Sequence, residues 1–98
     1  MKIWFEMRPV DIGRTVITQT AFDTLNRDVV GVSLFRHSNG DFGNLGKFDW
    51  EQNIISLDTN SGRIVSKYRD DFNKKDFYII TNITDEGNET TILLPEEY

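Results

Sequence analysis

The chain has 98 residues, of which 38% are hydrophobic, and it contains no cysteine. This length suits a single domain over residues 1–98, and the lack of cysteine excludes disulfides, thiolate zinc sites and thiol nucleophiles. The net charge of −5 comes entirely from the last seventeen residues. A charge-balanced body with an acidic end argues against nucleic-acid binding, which requires a basic surface.

The N-terminal region lacks the signature of a membrane or secretory segment. No apolar run approaches about 18 residues, the length of a membrane span. Glu6 and Arg8 stand where a signal peptide would have its apolar core. We therefore expect a cytoplasmic protein with no membrane contact.

The first third of the chain predicts two strands and a helix. The segment "IWFEM" at 3–7 has the alternation of a strand, which predicts a strand of the core. The alternative is an exposed apolar surface that contacts a partner. The β-branched run "GRTVIT" at 13–18 predicts a second strand. "TQTAFDTLNR" then predicts a short helix with Thr18 or Thr20 as its N-cap.

The middle of the chain contains one ambiguous element, a loop and a helix. "DVVGVSLFRHSNG" at 28–40 fits either a strand or a helix, and Asn-Gly ends it. The glycine-rich segment that follows predicts a loop. Asp49 is a suitable N-cap for a helix in which Trp50, Ile54 and Leu57 form the apolar face.

The last third of the chain changes to a period of two. "RIVSKY", "DFYIITNI" and "TTILL" are strand-like runs separated by turn-forming segments, and Pro95 ends the last one. These runs predict a three-stranded antiparallel meander. The fold class is therefore α+β: an N-terminal strand, two to three helices, and then the meander, with one covered face and one wet face.

Several of these segments together resemble a family of small plasmid- and phage-borne proteins. The family carries Arg-His, two spacers and Gly-Asp-Trp-Gly, then a capped helix, two characteristic strands and a C-terminus close to Leu-Leu-Pro-Glu-Glu-Tyr. The matching residues here are Arg36, His37, Gly40, Asp41, Phe42, Gly43, Asp49, Asn53, "RIVSKY" at 63–68, "FYIIT" at 77–81 and "TTILLPEEY" at 90–98. The likeness covers about residues 13–98, with Phe42 in place of the tryptophan and a less leucine-rich segment before Arg36.

The resemblance implies an origin in mobile genetic elements, where small acidic proteins often inhibit host defence. It suggests a non-enzymatic anti-CRISPR protein that binds a type II CRISPR nuclease and blocks its engagement of DNA. The expected partner is thus a host protein with a basic nucleic-acid-binding surface, which an acidic surface would complement. The residues expected to contact it are Arg36, Asp41, Phe42, Asp85, Glu86 and Glu89.

A metal or catalytic site is the alternative interpretation of the same segment. His37, the only histidine, and Asp41 are ligand types that zinc accepts, so a small zinc protein or metal-dependent enzyme could be centred on them. His37 could also act as a general base oriented by Asp41. A purely structural role explains the segment equally well, because Arg36 and His37 suit a helix end and Asp41 suits a turn.

Overall fold

Four strands form one mixed sheet in residues 8–98, the part of the chain that this computed structural model describes. The strands are β1 (Arg14–Ile17), β2 (Gly62–Asp70), β3 (Lys75–Ile83) and β4 (Glu89–Leu93). Their order across the sheet is β1-β4-β3-β2. The predicted three-stranded antiparallel meander is matched in part: the pairs β2–β3 and β3–β4 are antiparallel, but β1 joins parallel to β4 and makes the sheet four-stranded and mixed. The predicted strand at 3–7 lies outside the described residues.

Three helices precede the meander, so the predicted α+β class is confirmed. They are α1 (Gln19–Thr24), α2 (Arg27–Ser38) and α3 (Lys47–Thr59). The hydroxyl of Thr18 accepts a hydrogen bond from the backbone of Ala21, as an N-cap does. Asn26 caps α2 by accepting from Asp28 and Val29. This cap helps to make a helix of a segment rich in β-branched residues.

The start of α3 differs from the prediction. The helix begins at Lys47 with Gly46 as N-cap, so Asp49 lies inside the first turn and is not the cap. A carboxylate in the first turn still interacts favourably with the positive end of the helix dipole. The helix ends at Asn60, whose left-handed backbone (φ 49°) breaks the helical path.

The helices cover one face of the sheet and enclose two apolar clusters. The larger cluster contains Ala21, Leu25, Tyr68, Phe77, Ile79, Ile92 and Leu94. The smaller one contains Val10, Phe42 and Ile64, against which the predicted apolar face of α3 packs through Trp50, Ile54 and Leu57. The segment from residue 36 to residue 43 contributes Phe42 to the smaller cluster.

The outer edge of β2 is covered by side-chain and backbone groups. The amide of Asn53 in α3 accepts from Val65 N (2.9 Å) and donates to Val65 O (2.7 Å). Next to it, Lys67 N donates to Phe42 O (3.1 Å), and Asn44 N donates to Lys67 O (2.7 Å). These bonds satisfy an edge that would otherwise invite pairing with another chain.

Candidate functional site

The family-like segment "RHSNGDFG" forms the end of α2 and the turn that follows it. The carbonyl of Arg36 accepts from the backbone N–H groups of Asn39 (3.1 Å) and Asp41 (2.9 Å). Gly40 follows with φ +82°. A Cβ atom there would lie 2.4 Å from the carbonyl oxygen of Arg8, so this position requires glycine on both conformational and steric grounds.

Arg36 and Asp41 form a two-point ion pair across the turn. Arg36 Nε lies 2.7 Å from Asp41 Oδ2, and Nη2 lies 3.2 Å from Oδ1. The guanidinium group stacks 5.0 Å from the centroid of Tyr68, and the Tyr68 hydroxyl donates to the backbone oxygen of Asp41. The hydrogen bond from Arg36 lowers the pKa of the Asp41 carboxyl. Both charged side chains thus fix the turn while remaining partly exposed.

His37 lies completely buried in a chain of side-chain hydrogen bonds that crosses the sheet. Its Nδ1 is 2.5 Å from Ser66 Oγ, and its Nε2 is 2.8 Å from Thr81 Oγ1. Thr81 in turn lies 2.6 Å from Thr90, whose hydroxyl donates to the carbonyl of Ile12. Because the Thr90 hydroxyl donates its single proton to that carbonyl, it can only accept a hydrogen bond from Thr81. Thr81 therefore donates to Thr90 and accepts a hydrogen bond from Nε2–H of His37. The tautomer is therefore Nε2–H, and Nδ1 accepts from Ser66.

Burial keeps the His37 ring neutral, because it lowers the pKa of His37 from 6.5 to about 4. Both ring nitrogens are occupied by hydroxyl groups, and the Asp41 carboxylate is directed to Arg36 and to the backbone N–H of Gly43. The structure therefore does not bring His37 and Asp41 together as ligands of one ion. Within residues 8–98, no three His, Cys, Asp or Glu side chains are grouped so that they could hold a metal.

The hydrogen bond between Ser66 and His37 resembles the contact between a nucleophile and its base. Both side chains are completely buried, however, and the second ring nitrogen of His37 binds Thr81 where a catalytic base would bind an orienting carboxylate. Asp41, the expected orienting group, faces Arg36. No substrate could reach the pair in this arrangement, and the contact satisfies two polar side chains inside the core.

The expectation that Phe42 contacts a partner is wrong, because its side chain is completely buried. Its ring packs edge-on against Trp50, with the centroids 5.0 Å apart, and lies 6.5 Å from the ring of His37. Gly43 follows with φ +71°, where a Cβ would meet Lys67 O at 2.1 Å. An aromatic anchor below the turn thus explains Phe42 without any ligand.

The three expected acidic contact residues lie at one exposed tip of the sheet. Asp85 and Glu86 belong to the β3–β4 turn, and Glu89 begins β4. All three are exposed, and none forms an ion pair with any residue between 8 and 98. Arg14 of β1 is in register with Glu89 but forms no ion pair with it. Within residues 8–98 the tip is therefore a set of exposed carboxylates without an ion pair on the β3–β4 hairpin.

A groove lies between the start of α3 and the sheet face that carries Arg63 and Tyr78. Its volume is about 530 Å³, and its lining includes Arg63, Lys67, Tyr78 and Tyr98. Arg63 already stacks 5.2 Å from the ring centroid of Tyr98, and Lys67 lies 3.9 Å from Asp76. The two basic side chains of the groove are therefore engaged within the protein.

Three buried hydroxyl residues of this chain, Ser66, Thr81 and Thr90, were missed in the sequence, although a signal for Ser66 exists. Ser66 lies on β2 between Ile64 and Tyr68, which the strand period places on the same buried face. A hydroxyl on such a face requires a partner. The solitary His37 was a candidate for that partner, but no spacing pattern links the two positions.

The comparisons with other proteins give no assignment for this site. None of the helices between residues 8 and 98 combines the length and the apolar character needed to cross a bilayer. Comparison of the chain with protein-family models, with curated proteins and with solved structures finds no match.

Proposed function

We propose that this is a non-enzymatic protein of a mobile genetic element that inhibits a host defence nuclease. The observation that supports the proposal is the exposed acidic tip formed by Asp85, Glu86 and Glu89, whose carboxylates form no ion pair within residues 8–98. Such a tip favours docking on a basic protein surface, because complementary charge speeds association and selects the partner. The resemblance in "RHSNGDFG" and "TTILLPEEY" supplies the context, with a type II CRISPR nuclease as the proposed target.

The proposed mechanism is occlusion of a surface that binds nucleic acid. Nucleases that bind DNA present lysine and arginine side chains to phosphates. Carboxylates on the β3–β4 hairpin can bind the same lysine and arginine side chains without any chemical reaction. Arg36 and Asp41 have a supporting role in this proposal: they are partly exposed, but their ion pair first fixes the turn. Phe42 has no contact role.

The test is a triple neutral variant, Asp85→Asn with Glu86→Gln and Glu89→Gln. Wild-type protein should bind the type II effector nuclease, reduce its DNA cleavage and lose affinity as salt is raised. The variant should associate at least about tenfold more slowly, since rim charges act mainly on the association rate. A matched control changes the net charge equally at exposed carboxylates elsewhere, with Asp23→Asn, Asp49→Asn and Glu51→Gln. Equal loss in both variants, or salt-independent binding, would contradict the proposal.

The metal alternative centred on His37 and Asp41 is separated from this function by elemental analysis. We expect wild-type protein and His37→Gln purified without chelator to contain the same zinc, well below one ion per chain. The reason is that both ring nitrogens of His37 already have hydroxyl partners. Stoichiometric zinc that disappears in the variant would replace the binding proposal with a metalloprotein.

A further inference from the structure

Helix α2 carries apolar side chains on the side that faces away from the protein. Val32 is 61% exposed and Phe35 is 70% exposed, whereas the polar residues Ser33 and His37 on the inner side are buried. Helices of small domains normally direct apolar side chains inward. The outer side of α2 thus has the composition of a contact surface.

A neighbouring aromatic side chain widens this surface. Phe72, in the turn between β2 and β3, is 76% exposed and lines a shallow depression together with Val32. Asp28, Ser33, Arg36 and Arg69 also line it. Apolar and charged side chains thus share this surface, as they do in protein interfaces.

Gly31 provides an independent observation on the same side of α2. It lies in the middle of the helix, and a Cβ built on it would meet no atom within 4 Å. Glycine in a helix interior costs about 1 kcal/mol relative to alanine. Nothing in the described part of the chain requires its missing side chain. The bare backbone next to Val32 would, however, allow another helix to approach closely.

We infer that α2 is a self-association surface on which two copies of the chain pack their α2 helices antiparallel across Gly31. A two-fold axis at Val32 pairs residue 35 of one copy with residue 29 of the other and residue 31 with residue 33, so that Gly31 of each helix lies beside the crossing point. This inference is independent of the function proposed above, because the acidic tip lies on a different element.

The charges along α2 favour a second copy over an unrelated partner. Asp28 stands near the N-terminal end of the exposed stripe and Arg36 near its C-terminal end. An antiparallel pair therefore brings each Asp28 opposite the Arg36 of the other copy, and the contact is self-complementary, as an isologous interface requires. Arg36 can take part because its Nε and Nη2 bind Asp41, while Nη1 has no hydrogen-bond partner among residues 8–98.

The test measures molecular mass by sedimentation equilibrium between about 1 and about 200 µM, the range in which a small interface dissociates. Wild-type protein should be a dimer at the upper end. Gly31→Leu should abolish the dimer by steric exclusion while keeping the fold, since the space around it is open. Phe35→Ser should raise the dissociation constant at least about tenfold. Asp28→Lys should also weaken the dimer, by placing like charges opposite each other.

The matched control is Phe48→Ser, because Phe48 on α3 is 71% exposed and thus as accessible as Phe35. It should leave the dissociation constant unchanged. A wild-type protein that is monomeric at every concentration overturns the inference, and so does a dimer that persists in Gly31→Leu or weakens equally in both phenylalanine variants. Circular dichroism of each variant checks that the fold is kept.

Discussion

The Nδ1 atom of His37 lies 2.5 Å from the hydroxyl oxygen of Ser66, and both side chains are completely buried. This contact connects the end of α2 to β2, and the second ring nitrogen continues the connection to β3 through Thr81. A neutral imidazole is the only protonation state that suits the whole chain of hydroxyl groups as the structure arranges it. The stability of the fold therefore depends on pH through the protonation of His37.

The stability of the protein should fall as the pH is lowered through the titration of His37. Burial lowers the pKa of His37 to about 4, so below about pH 6.5 the unfolded chain binds a proton that the native protein does not bind. The free energy of unfolding therefore has its highest value above about pH 6.5 and is lower by about 3 kcal/mol at about pH 4. Urea denaturation at successive pH values measures this. In His37→Gln the decrease over the same range should be smaller by that amount, and an identical decrease would contradict the assignment.

The ion pair between Arg36 and Asp41 should contribute only modestly to stability. Both side chains are partly exposed, at 43% and 38%, so water screens their attraction. We expect Arg36→Met and Asp41→Asn each to lower the free energy of unfolding by about 1 kcal/mol, with less than additive loss in the double variant. Arg36→Lys should not restore it, because lysine can neither bind in two-point geometry nor stack flat on Tyr68. Full additivity in chemical denaturation would show that the pair is not coupled.

Gly43→Ala should destabilise the protein more than Gly87→Ala, although both positions have positive φ (+71° and +119°). A Cβ at residue 43 would meet Lys67 O at 2.1 Å, whereas a Cβ at residue 87 meets nothing within 4 Å. Backbone strain alone costs about 1–3 kcal/mol, and the clash at residue 43 adds to it. Thermal unfolding of the two variants gives the comparison directly. Equal losses would mean that the turn can move away from β2.

Removing the amide of Asn53 should both destabilise the protein and promote aggregation. Its two bonds to Val65 are partly buried, so Asn53→Ala leaves a backbone N–H and a carbonyl without protein partners, at a combined cost of about 1–3 kcal/mol. The same change uncovers the edge of β2. Gln52→Ala, at the adjacent exposed position, is the control and should unfold like wild type. Light scattering during unfolding would reveal the aggregation, and a soluble, equally stable Asn53→Ala would contradict this role.

The sequence predicted the parts of the fold that depend on local patterns. The alternation in "RIVSKY" and "FYIIT" predicted the paired strands, and of the two N-caps considered for α1, Thr18 and Thr20, the structure has Thr18. The predicted start of α3 was wrong because Asp49 is a better cap by residue type than Gly46. In the structure residues 42–44 pack on β2, and the helix begins at Lys47, two residues before Asp49. At this position the tertiary contact, and not the cap preference of Asp49, determines where the helix begins.

The rest of the site could not be predicted, because its contacts join distant positions. His37 and Ser66 come into contact only when α2 packs on β2, and their spacing in the sequence does not predict this contact. The burial of Phe42 likewise depends on Trp50 of the next helix. An arginine, a histidine and an aromatic residue beside glycines suit a binding loop and a packed turn equally well by type, and only the side-chain directions distinguish the two.

The parallel pairing of β1 with β4 has a consequence for synthesis on the ribosome. The register joins Arg14 to Glu89 and Ile17 to Ile92, so the first described strand has no partner until residues 89–92 have been made. During that interval the apolar side of α1 and the edge of β3 that pairs with β4 remain open to water and to other nascent chains. Such non-local closure is slow and exposes aggregation-prone surface. The sheet therefore cannot close on the ribosome before β4 has left it.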